Sequence, residues 1–80
     1  MRRNNIDISA ELLSVAKGGA KKTHLVYKTN LNFVLLKKYL VRLTDNGLLE
    51  SMNGRFFTTD KGVRFLDQYE VMKPMSGIHA

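Results

Sequence analysis

Cysteine is absent from the 80-residue chain, which excludes a disulfide framework and any thiolate-held metal. The lack fits a reducing compartment. Proline occurs once, at Pro74, so no proline interrupts a helix before that point. Long apolar runs are missing too. The longest is Phe33 to Leu36, far short of the roughly 20 residues that span a bilayer. Arg2 and Arg3 could open an export leader, but Asp7 and Glu11 interrupt the apolar stretch that would have to follow. A soluble cytoplasmic protein with no membrane partner is expected. His24 and His79 are the only histidines, and they hold no metal-ligand spacing. The carboxylates are scattered, with none placed beside another for acid–base work. Neither a phosphate-cradling glycine loop nor a nucleophile elbow occurs, and Gly18-Gly19 reads as a helix stop. No catalysis, metal, cofactor or small-molecule substrate is expected.

Acidic residues are scarce where basic ones crowd. The formal net charge is +6, from 13 Lys and Arg against 7 Asp and Glu, and a surplus of that size favours polyanionic partners. From Lys17 to Arg42 there are seven basic residues and no acidic one, whereas Thr59 to Lys73 is neutral. A divided surface follows, basic through the middle of the chain. Eighty residues suffice for one core and not two, and an apolar share of 44% is ordinary for a folded domain.

Periodicity places the elements. Ile8, Leu12, Val15 and Ala16 recur at helical spacing over about 5–17. A second helix is predicted over 22–29, with Leu25 and Val26 inward, before the break at Asn30-Leu31-Asn32. The third, 33–45, is the clearest: Leu36, Leu40 and Leu43 form the stripe, flanked by Phe33 and Tyr39, with Asn32 as N-cap and Asn46-Gly47 as stop. Val34, Lys37, Lys38 and Val41 occupy its opposite face, with Arg42 at the edge. Asn53-Gly54 is a strong hairpin signal within 48–58, pairing Met52 with Arg55 and Ser51 with Phe56. Which strand face is buried is ambiguous, because Leu48 competes with Leu49 and Phe56 with Phe57. Thr59 caps a last helix over 60–72, in which Phe65, Leu66, Tyr69 and Met72 form one stripe. The expected fold is mainly α with a small β-hairpin, one winged helix-turn-helix domain over 1–73. A flexible tail is expected over 74–80.

The stretch from Gly18 to Leu31, GGAKKTHLVYKTNL, resembles archaeal winged-helix chromatin proteins of the "10a" type. Lys37-Lys38-Tyr39-Leu40, Asn46-Gly47-Leu48-Leu49 and Thr59-Asp60-Lys61-Gly62 continue the likeness in order, so that it covers roughly Leu12 to Leu66. The resemblance implies an archaeal source (or a virus or plasmid of one), binding of double-stranded DNA, and often homodimerisation through the last helix. Two departures stand out. Phe33 and Leu35 replace the tyrosine and glutamine common in such proteins, and Gly62, Phe65, Tyr69 and Met72 make barely two heptads.

The candidate DNA contacts are Asn32, Val34, Lys37, Lys38, Val41 and Arg42 on the third helix. Lys21, Lys22, Thr23 and Lys28 join them from the helix before it, and Arg55 from the hairpin tip. Phe65, Leu66, Tyr69 and Met72 are the candidate dimer residues. Tyr27 and Tyr39 are assigned to the core, since both adjoin apolar stripes. The expected role is a transcriptional regulator or a nucleoid-associated protein. The alternative is a winged helix that binds another protein within the transcription machinery.

Overall fold

The computed structural model describes residues 4–72, without the side chain of Met72. The tail expected over 74–80 lies outside the described residues.

Helix α1, Asn5–Val15, starts with a capping box. The Asn4 side-chain oxygen accepts from the Asp7 N–H (2.8 Å), and the Asn4 N–H donates to the Asp7 carboxylate (3.3 Å). The helix stops short of Lys17, because Ala16–Gly18 tightens into a 3₁₀ turn before Gly19. Its burial is wider than the predicted stripe. Ala10, Leu12, Leu13 and Ala16 are all buried, while Ile8 and Val15 only pack at the margin. The physical reason is position: α1 packs at once on the second helix, the hairpin and the last helix.

Helix α2, Lys22–Thr29, buries Leu25 and Thr29. The Thr29 hydroxyl donates to the Leu25 carbonyl (2.6 Å), so this buried polar group is satisfied. Asn30, at φ 59°, turns the chain in the left-handed conformation. Helix α3, Phe33–Asp45, faces the core with Leu36, Tyr39, Leu40 and Leu43. Tyr39 is thus a core residue, and its hydroxyl donates to Asn5 Oδ1 (2.6 Å). Phe33, which flanks the stripe on the helical wheel, stands 53% exposed at the helix start, where no other element covers it. The helix ends in a Schellman motif: the Leu48 N–H donates to the Leu43 carbonyl, and that of Gly47 to Thr44. Gly47 supplies the positive φ, 76°, that the motif requires.

Strands β1, Leu49–Met52, and β2, Arg55–Thr58, pair antiparallel in the expected register, Met52 with Arg55 and Ser51 with Phe56. Asn53 and Gly54 both have positive φ (52° and 79°), as a type I′ turn demands. The face question is resolved by anchoring. Leu49 is buried, Phe56 packs on the core, and the Thr58 hydroxyl donates to the Leu13 carbonyl (2.6 Å). Phe57, on the other face, lies over Gly19. A third backbone partner joins the sheet: Ala20 exchanges both hydrogen bonds with Phe56 (3.0 and 2.8 Å).

Helix α4, Asp60–Met72, is capped by Thr59, whose hydroxyl accepts from the Gly62 N–H (3.1 Å). Gly62 is not a position on an open coiled-coil seam. A side-chain carbon there would collide with the Leu48 carbonyl and the Thr58 methyl, so the glycine lets α4 lie close on the hairpin. Leu66 is 6% exposed and belongs to this chain's own core. Phe65 and Tyr69 are half-buried against that core, and the Tyr69 hydroxyl donates to Asp7 on α1.

Candidate nucleic-acid interface

Three elements converge on one side of the molecule. The Ala20–Phe56 bridge draws the start of α2 against the base of the hairpin. As a result Lys22, Lys37, Val41, Ser51 and Phe56 line one depression, with Leu40 at its floor and Thr44 and Asp45 along its edge. An adjoining shallow surface is lined by Val34, Lys37, Lys38, Val41 and Arg42, closed by Asp45 and Asn46 at the end of α3. Lys37 and Val41 belong to both, so the surface is continuous from α2 across α3. Ser51 and Thr44 were not singled out in the sequence. Only the β1–β2 register and the α3 wheel together would have found them.

Each sequence-predicted residue has a definite place. Lys37, Lys38 and Arg42 are exposed on α3, and the Arg42 guanidinium stands over the Tyr39 ring, 5.9 Å from its centre. That distance is within cation–π range, so a core residue helps aim the guanidinium. Val34 is 69% and Val41 53% exposed. Asn32 is exposed, but its side-chain oxygen accepts from the Leu35 N–H (2.8 Å) as the N-cap of α3. Bidentate pairing with adenine N6 and N7 would also use that oxygen, whose N-cap bond takes one of its two lone pairs.

Lys21, Lys22 and Thr23 sit at the first turn of α2, exposed. Lys21 gives no side-chain cap there. The first N–H groups of a helix have no intrahelical acceptor, and a phosphate is a good partner for them. Lys28 is also exposed, yet it projects about 140° around the helix from Thr23. Arg55 is exposed at the hairpin tip beside the Asn53-Gly54 turn. Tyr27 is 84% exposed and not a core residue. Leu25 and Thr29 fill the core-facing side of so short a helix, leaving Tyr27 outward.

A separate groove is lined by Ile6, Leu48, Phe65 and Tyr69 and bordered by Lys61, Arg64 and Gln68. The dimer candidates are therefore divided. Leu66 is internal, Phe65 and Tyr69 reach this groove, and the side chain of Met72 lies outside the described residues. Among the described residues no three His, Asp or Glu side chains gather as a metal site. No helix there is long and apolar enough to cross a membrane.

The winged helix-turn-helix family matches residues 2–77. The chain is similar to an uncharacterized protein of Methanocaldococcus jannaschii, 31% identical over 71 residues. That match covers 88% of this chain and 34% of the relative, so the chain spans about a third of the relative's length. Its fold is similar to the crystal structure of Sso10a-2, a DNA-binding protein from Sulfolobus solfataricus, with a TM-score of 0.80 and 25% identity. The likeness covers 91% of this chain and 81% of Sso10a-2.

Proposed function

Because this chain belongs to the winged helix-turn-helix family, we propose that it binds double-stranded DNA, as a transcriptional regulator or a nucleoid-associated protein. Helix α3 enters the major groove, the start of α2 meets the backbone, and the hairpin serves as the wing. The observation that carries this reading is the convergence of Lys22, Lys37 and the hairpin on one surface, continuous with Lys38 and Arg42. The likeness to Sso10a-2, itself a DNA-binding protein, supports it. Phosphate neutralisation supplies most of the affinity.

A titration against duplex DNA at several salt concentrations tests the proposal. With about three to five phosphates neutralised per protomer, log affinity should fall against log salt with a slope of about −3 to −4.5. Removing Lys22 should make the slope shallower by about one, equally for all sequences. A slope near zero in the unaltered protein would sink the DNA reading. It would favour the alternative, a winged helix that docks on a protein, for which the exposed Val34 and Val41 are the supporting observation.

Pairing of two copies through α4 belongs to the same reading, with Phe65 and Tyr69 in the groove as the contacts. A two-fold pair would set its α3 helices about 34–36 Å apart, one turn of DNA. Sedimentation at high micromolar concentration should show a dimer. A monomer there, with DNA present as well as without, would remove pairing from the proposal.

A further inference from the structure

Val34 and Val41 stand nearly in line on the outward face of α3, since seven residues bring a helix back to within about 20°. Neither contributes to the core, which α3 meets through Leu36, Tyr39, Leu40 and Leu43. Valine is also a poor choice for a merely solvated helix face. Its branched side chain loses rotamer freedom in a helix and here leaves apolar surface in water. Lys37, Lys38 and Arg42 border the pair, while Asp45, one turn beyond Val41, closes the strip with a charge that phosphate would repel.

An apolar pair rimmed by cations is complementary to a surface with anionic rims and apolar groups at its floor. The major groove of DNA has that form, and the thymine C5-methyl is the apolar group its base edges present. The polar route to base reading is narrowed on this helix, because the Asn32 oxygen is held in the N-cap. We infer that Val34 and Val41 read thymine methyl groups, so that the chain selects duplexes carrying thymines at two places in one major groove. The inference rests on the DNA-binding reading above. The two valines are about 10.5 Å apart along the helix, close to three base-pair steps of about 3.4 Å each. Thymines roughly three steps apart are the preferred arrangement.

Uracil lacks only the methyl group and keeps the hydrogen-bonding edge and the phosphate charge of thymine. The test therefore compares the full chain on one duplex made with thymine and again with uracil. Loss of a buried methyl should weaken binding about fourfold, and loss of two by roughly fifteenfold. Placing 5-methylcytosine for cytosine in a GC-rich duplex should strengthen binding. The Val34→Ala/Val41→Ala variant, with alanine favouring the helix, should bind thymine and uracil duplexes alike at an unchanged salt slope. Equal affinity of the unaltered protein for both duplexes, with the steep salt slope retained, would overturn the inference and leave the DNA reading intact. Absence of binding to every duplex would overturn both. The comparison of duplexes uses the native chain, so it stands even if the alanine variant fails to fold.

Discussion

Lys37→Ala/Lys38→Ala is expected to fold as the parent does and to bind duplex DNA one to three orders of magnitude more weakly. Both lysines are exposed on α3 and make no core contact, so circular dichroism and the unfolding midpoint should not move. Their loss removes adjoining cations from the centre of the proposed surface, on the order of 1–2 kcal/mol for each contact to an ionised group. Lys37 lines both depressions, the one shared with Lys22 and the hairpin and the one shared with Arg42. Its share of the loss should be the larger, which the single variants would show by gel shift or anisotropy. Unchanged affinity with intact circular dichroism would move the DNA-binding surface off α3. A comparable change at Lys28, which projects to another side of α2, should cost much less.

Leu13→Ala should destabilise the fold as severely as Leu12→Ala, by about 2–5 kcal/mol each. Both side chains are fully buried, although helical spacing alone points to Leu12 and passes over Leu13. A domain of this size has a total stability of about 4–12 kcal/mol, so either change would leave a large unfolded population. Urea denaturation measures it through the shift in midpoint at constant slope. A cost below about 1 kcal/mol for Leu13 would mean that α1 is not enclosed on two sides, and the packing described above would have to be redrawn.

The same contrast runs through the molecule. Local signals were legible because they act over a few residues. Asn32 caps α3 and Gly47 ends it, and Asn53-Gly54 sets the hairpin register, all through hydrogen bonds and dihedral angles within a turn of the residue concerned. The 3.6-residue repeat of Leu36, Leu40 and Leu43 likewise marks one face of one helix. The outward candidates Val34, Lys37, Lys38, Val41 and Arg42 were the remainder of that wheel, and all five are exposed.

Tyr27, expected in the core, is exposed, and Phe33, which flanks the α3 stripe, is exposed for the same reason. An aromatic residue beside an apolar stripe counts as core only if another element reaches it, and none covers these two enough to bury them. Leu66, one of the candidate dimer residues, is covered within its own chain. Gly62 lies against the Leu48 carbonyl and the Thr58 methyl of the hairpin, an approach that its place on the α4 wheel does not announce. The Ala20–Phe56 bridge joins residues 36 apart in sequence, and no local pattern announces it. From the sequence alone came the basic segment, the helices, the turn and the outward face of α3. Tertiary structure decided which hairpin face is buried, that α1 lies enclosed, and that Lys22, Lys37 and Ser51 line one depression. These depend on which distant surfaces exclude water from one another, a property of the assembled chain that no single helix or strand carries.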